Sequence, residues 1–120
     1  MTGRIVLIED DPDIAALVQD MLAEIGRTVA VRDRLEDGHL DDQAALVITD
    51  LVAMRSYDVA SAREWVGRVR AAFPQAALLV STAHAPAAAA GAAALGADAV
   101  LTRPFEVASF AAMVRSLLDD

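Results

Sequence analysis

The sequence contains no cysteine and no lysine, and all ten of its basic side chains are arginine. Without cysteine, the chain can form no disulfide, no thiolate zinc site and no cysteine nucleophile, which suits a reducing compartment. Acidic side chains number 18 against these 10, for a formal net charge of −8, so general attraction to nucleic acid or anionic membranes is excluded. The apolar stretch after Arg4 is too short for a signal peptide or a membrane span, and we therefore expect a cytoplasmic protein.

Short apolar runs alternate with segments of helical periodicity along all 120 residues, and no linker rich in Gly, Ser or Pro interrupts them. The predicted strands are residues 4–8, 28–32, 44–49, 77–81 and 99–102. The predicted helices are residues 12–25, a short or irregular one within 33–43, 60–73, 86–95 and 107–118. Because the strands are apolar throughout rather than alternating, the pattern indicates a parallel sheet covered on both faces by helices, in one domain spanning residues 1–120.

Turn and capping residues mark the ends of the predicted helices. Asp11 and Pro12 suit the N-cap and first position of the first helix, and Gly26 suits the position just after its end. The apolar face of this helix is predicted to include Leu17. The Ala-rich segment 86–95 is predicted to be a single helix closed by Gly96.

Four of the five strands end in polar residues that the strands themselves do not need: Glu9 and Asp10, Asp50, Thr82, and Arg103. The carboxyl ends of parallel strands lie on one edge of a sheet, and ligands bind there where the strand order reverses. Glu9, Asp10 and Asp50 are therefore expected to converge on one crevice. Their mutual repulsion calls for a cation among them or for protonation of some of them. If a cation is present, oxygen ligands without cysteine or a histidine cluster favour Mg²⁺.

Other polar and aromatic residues have simpler interpretations. Asp11 and Asp13 fit the first turn of a helix, where the helix dipole favours negative charge. His84 is isolated and is expected to be structural rather than a ligand. Trp65 and Tyr57 are assigned to packing.

The motifs in residues 5–12, 46–50, 81–83 and 96–105 occur in an order and at spacings that resemble the receiver domain of two-component response regulators. The resemblance covers the whole chain. It implies a flavodoxin-like α/β fold, a doubly wound (βα)5 unit whose five-stranded parallel sheet has the strand order 2-1-3-4-5. It also implies a phosphoacceptor that assists its own phosphorylation and dephosphorylation, rather than a classical enzyme.

By this resemblance, Asp50 accepts a phosphoryl group from a sensor histidine kinase or a phosphotransfer protein. Thr82 would hydrogen-bond the phosphoryl group and Arg103 would pair with it. Phosphorylation would rearrange the face formed by the Ala-rich helix, the last strand and the last helix, where an output protein or domain, or a second copy in a homodimer, would bind.

The resemblance also implies a Mg²⁺ cofactor. Asp10 and Asp50 would bind it directly, together with the backbone carbonyl of Val52, and Glu9 would act through water. The side chains of Val52 and His84 would flank the path of the water that hydrolyses the acyl phosphate. Because Val52 is apolar and cannot orient that water, we expect the phosphorylated state to decay slowly.

The sequence departs from the family pattern at four positions. Arg103 stands where the family has Lys, and Val100 stands where it has the aromatic switch residue. Met54 and Asp58 stand where it typically has Pro and Gly. These departures leave open a second interpretation, a degenerate receiver that acts as a phosphorylation-independent protein-interaction module.

Overall fold

A five-stranded sheet forms the centre of the computed structural model, which describes residues 4–32, 44–51, 58–103 and 106–118. The strands are β1 (Arg4–Ile8), β2 (Val29–Arg32), β3 (Ala44–Thr49), β4 (Ala77–Thr82) and β5 (Ala99–Thr102). All four pairings are parallel, and the order is β2-β1-β3-β4-β5. This confirms the flavodoxin-like arrangement expected from the sequence.

Helices occupy both faces of the sheet. They are α1 (Pro12–Glu24), α2 (Val59–Ala72), α3 (Ala85–Ala90), α4 (Ala92–Leu95) and α5 (Val107–Leu118). The short helix expected within residues 33–43 lies outside the described residues, as do Val52, Met54 and Tyr57. Within the described segments, no helix is long and apolar enough to cross a membrane.

Two apolar layers pack against the sheet, and β1 contributes to both. Val6 and Ile8 belong to the cluster that includes residues of α2, α3 and α4. Ile5 and Leu7 belong to the cluster that includes residues of α1 and α5. Because successive side chains of a strand point to opposite faces, the fully apolar sequence of β1 is explained by burial on both sides.

The first helix begins and ends as its capping residues predict. The Asp11 side chain accepts hydrogen bonds from the backbone N–H groups of Asp13, at 2.9 Å, and Ile14, at 3.4 Å. Gly26 follows the helix with a φ of 76°, the left-handed conformation that glycine adopts at low cost. The predicted burial of Leu17 is wrong, because its side chain is 52% exposed.

The prediction of one helix over residues 86–95 is also wrong. Gly91 separates α3 from α4, and its φ of 87° and ψ of 164° are incompatible with a continuous helix. The second segment ends as predicted, at Gly96 in the left-handed conformation. An Ala-rich run has high helix propensity but does not by itself show where a glycine will leave the helical conformation.

Candidate functional site

Asp50 and Glu9 lie side by side at the carboxyl end of the sheet. They follow β3 and β1, the two neighbouring strands between which the strand order reverses. The backbone N–H of Asp50 donates to the carbonyl of Ile8 at 3.3 Å. The N–H of Leu51 donates to Asp50 Oδ1 at 2.7 Å. The backbone pairing of β1 with β3 thus continues to Asp50. The hydrogen bond from Leu51 then fixes the orientation of the Asp50 carboxylate.

Arg103 joins these two carboxylates. Its backbone N–H donates to the carbonyl of Thr82 at 2.8 Å, which holds the residue beside the end of β4. Its Nη2 donates to Asp50 Oδ2 at 2.9 Å, and its Nη1 lies 3.7 Å from Glu9 Oε1. The side chains of Arg103 and Asp50 are only 17% and 16% exposed, and that of Glu9 is 4% exposed. The guanidinium is therefore a resident cation between two largely buried carboxylates.

The surroundings of Glu9 make its negative charge unfavourable. Burial is the main cause and raises the pKa of this carboxyl to about 7, opposed by a hydrogen bond from the Asp11 N–H. The charge of Asp50 and a hydrogen bond with Asp10 raise the pKa further, while Arg103 lowers it. The single guanidinium does not fully compensate the acidic cluster, so the pocket favours an additional cation or a proton.

Thr82 and His84 lie at the end of β4. The Thr82 side chain is fully buried, and its Oγ1 accepts a hydrogen bond from the backbone N–H of His84 at 3.0 Å. His84 is half-buried and occupies the N-cap of α3 without a hydrogen bond from its side chain. Val100, on β5, is half-buried and packs against the apolar cluster on the α2 side of the sheet.

The donor atoms of the acidic cluster are of the kind that Mg²⁺ prefers. Asp10 is exposed at the rim of the pocket, and Asp50 lies within it. In the part of the chain that the structure describes, no three His, Asp or Glu side chains form a preformed metal cage. Mg²⁺ needs only one or two carboxylates because it retains several waters, so Asp10 and Asp50 suit this ion. Val52 lies outside the described residues.

Trp65 makes a contact that the sequence did not reveal. Its ring packs against the core from α2, as predicted, but its Nε1 also donates to Thr49 Oγ1 at 3.0 Å. Thr49 is the last residue of β3 and directly precedes Asp50. The available signal was a hydroxyl in an otherwise apolar strand, together with the need of a buried indole N–H for an acceptor.

Several solved structures that match this architecture are response regulators or their receiver domains. A response regulator from Thermotoga maritima matches with a TM-score of 0.75 and 16% identity, covering 100% of both chains. A response regulator receiver protein from Burkholderia phymatum matches with a TM-score of 0.69 and 21% identity, covering 98% of this chain and 96% of its own. The BeF3-activated DrrB receiver domain of Thermotoga maritima matches with a TM-score of 0.68 and 21% identity, covering 100% of both. This chain has the receiver fold.

The sequence of this chain differs widely from the sequences of the solved structures that share its fold. No family model matches the sequence, and no curated protein does. Identities of 16% and 21% to the solved structures mean that the backbone architecture is shared while most side chains differ. The roles of Arg103 and Val100 are therefore argued from their contacts in this chain and not from the matched structures.

Proposed function

We propose that this chain is a response-regulator receiver domain, residues 1–120, in which Asp50 accepts a phosphoryl group from a sensor histidine kinase or a phosphotransfer protein. A carboxylate oxygen of Asp50 attacks the phosphorus of the phosphohistidine. The phosphorus–nitrogen bond breaks, and its electron pair leaves with the imidazole. The supporting observation is the Asp50 carboxylate itself, which is held at the reversal point of the sheet with a guanidinium 2.9 Å from one oxygen.

The proposal gives Arg103 and Thr82 the task of binding the phosphoryl oxygens. Phosphoryl transfer depends chiefly on positioning and on neutralising negative charge. Arg103 supplies a positive charge with several N–H donors in a plane, which suits phosphoryl oxygens. The hydroxyl of Thr82 accepts from the backbone N–H of His84 and retains its own proton to donate.

Mg²⁺ is the proposed cofactor. Asp10 and Asp50 would hold it directly, with the backbone carbonyl of Val52, and Glu9 would act through water. When bound, it would neutralise charge on the phosphoryl group. The role of the protein is to present these oxygens while the largely buried pocket limits access of water to the acyl phosphate.

The proposed output surface is formed by the Ala-rich helices α3 and α4 together with β5 and α5, in a cytoplasmic protein. Phosphorylation would shift the population between two conformations of this face, by no more than the difference in phosphoryl-group stabilisation between them. An output protein or domain, or a second copy of the chain, would bind the favoured conformation. Val100 offers no aromatic ring to move between buried and exposed positions, so this coupling must use other groups.

Intact-protein mass spectrometry after incubation with acetyl phosphate and Mg²⁺ tests the proposal. We expect the wild-type protein and the control Asp20→Asn, which removes an exposed carboxylate of α1, to gain one phosphoryl group. Asp50→Asn should gain none, because an amide oxygen is a poor nucleophile. An unmodified wild type at saturating phosphodonor, or labelling of Asp50→Asn, would contradict the proposal.

The resting ion pair supports a second candidate, a phosphorylation-independent interaction module. Both oxygens of Asp50 already have partners, Leu51 N–H and Arg103, so the pocket is partly neutralised without any phosphoryl group. Failure of the wild type to gain mass would favour this candidate.

A further inference from the structure

A row of hydrogen bonds connects α2 to the backbone of Asp50. The indole Nε1 of Trp65 donates to Thr49 Oγ1 at 3.0 Å, and the Thr49 hydroxyl donates to the carbonyl oxygen of Asp50 at 2.7 Å. Thr49 therefore uses its hydroxyl as acceptor and donor at once. The two hydrogen bonds together fix the orientation of the Thr49 hydroxyl.

The row continues to the carboxylate through a single peptide group. The Asp50 carbonyl and the Leu51 N–H belong to the same planar amide. The N–H end of that amide donates to Asp50 Oδ1 at 2.7 Å. Every donor in the row points from Trp65 towards the carboxylate. Hydrogen bonds arranged in this way polarise and strengthen one another, so an amide that accepts at its oxygen becomes a better donor at its nitrogen.

The row lies in a rigid environment. Thr49 is fully buried at the end of β3, and Trp65 is anchored against the core by its ring. At the far end, the other oxygen of Asp50 is bound by Arg103. The plane of the carboxylate is thus fixed by two opposed donors, of which the Leu51 N–H depends on the row that starts at Trp65.

We propose that Trp65 is a positioning residue for the phosphoacceptor, acting through Thr49 and the Asp50–Leu51 peptide. The role in phosphorylation rests on the proposed function of Asp50, whereas the positioning exists already in the resting protein. Trp65→Phe keeps an aromatic ring but removes the N–H. The Thr49 hydroxyl then loses one of its two constraints, and the Leu51 N–H becomes a weaker donor to the carboxylate.

Nuclear magnetic resonance of the unphosphorylated protein tests the positioning directly. We expect Trp65→Phe and Thr49→Val to move the Leu51 amide proton upfield and to speed its exchange with solvent. Thr49→Ser retains the hydroxyl and should keep the wild-type signal. Val66→Ala is the matched control, because it trims a buried side chain of the same helix without removing a hydrogen bond. A Leu51 signal unchanged in Trp65→Phe, or changed equally in Val66→Ala, overturns the proposal.

The rate of phosphorylation by acetyl phosphate tests the consequence. Trp65→Phe and Thr49→Val should each slow it by about threefold to tenfold, as expected for one hydrogen bond. The double variant should be no slower than the slower single variant, since both changes interrupt the same row. Thr49→Ser and Val66→Ala should retain the wild-type rate, and additive losses in the double variant would argue against the row.

The two measurements distinguish the possible failures. If the Leu51 amide responds as expected but the wild type is not phosphorylated, the proposed function is wrong and the positioning of the Asp50 carboxylate stands. If the wild type is phosphorylated and Trp65→Phe changes neither measurement, the proposed function stands and the role of Trp65 is wrong.

Discussion

Arg103 has contacts that follow from its size and shape. A lysine ammonium is a compact charge on a flexible stem, whereas the guanidinium is a planar fork with five donors. In this chain, the two terminal nitrogens of the fork face different carboxylates, Asp50 and Glu9. The sequence placed an arginine at the end of β5 but could not show that it spans two acidic side chains, because that depends on the relative positions of three strands.

Replacing Arg103 should therefore destabilise the protein. We expect Arg103→Ala to cost about 1–3 kcal/mol of unfolding free energy, because the largely buried Asp50 carboxylate loses a hydrogen bond and Glu9 loses an ion pair. Arg103→Lys should cost less, since it restores the charge but not the fork. Thermal unfolding should also show a larger Mg²⁺-induced increase in Tm for Arg103→Ala than for wild type. The exposed Arg115 provides the control: Arg115→Ala should behave as wild type in both respects, and an Arg103→Ala variant as stable as wild type would contradict the prediction.

The break between α3 and α4 is decided at the scale of the secondary-structure element. Alanine propensity favours one long helix, yet Gly91 adopts a φ of 87° and a ψ of 164°, a conformation that is essentially restricted to glycine. From the sequence alone, residues 86–95 are predicted to form one uninterrupted helix. The actual conformation of Gly91 depends on how α3 packs against β4 and β5 while α4 packs against α2.

Two glycine substitutions should have opposite effects on stability. Gly91→Ala should destabilise the protein by about 1–3 kcal/mol, because alanine must adopt a strained backbone conformation. Gly67→Ala, within α2, should stabilise it by about 0.5–1 kcal/mol, because an added Cβ there meets no atom within 4 Å and alanine is the better helix former. Urea denaturation measures both, and a stabilising Gly91→Ala would show that the break is not required.

At the scale of the whole molecule, the double-sided core explains which predictions succeed. All five strands follow from their apolar runs, and their order is the one that the resemblance to receiver domains implies. The buried face of a helix is harder to predict, because the 3.6-residue periodicity identifies an apolar stripe along the helix but not how much of the width of that stripe is buried. Leu17 and Leu22 both fit the stripe of α1, yet only Leu22 is buried. The candidate site was foreseen as a set of strand ends, while its hydrogen bonds required the packed structure.

Replacing each of these two leucines with alanine should distinguish a core position from a surface position. Leu22→Ala removes a side chain that is 0% exposed and should cost about 2–5 kcal/mol through lost burial and a residual cavity. Leu17→Ala, five residues earlier on the same helix, should change the unfolding free energy by no more than about 0.5 kcal/mol. Urea denaturation gives both values. Equal losses would mean that Leu17 is shielded from solvent in the protein.

The chain has one tryptophan, and that residue hydrogen-bonds the neighbour of Asp50. Ultraviolet excitation at the red edge of protein absorption therefore addresses a single chromophore adjacent to the acidic pocket. Indole emission is sensitive to its hydrogen-bond partner and to nearby charge. We therefore expect the proposed binding of a cation, or of a phosphoryl analogue such as beryllofluoride, to change the emission of the unlabelled protein, with Asp50→Asn as the blank.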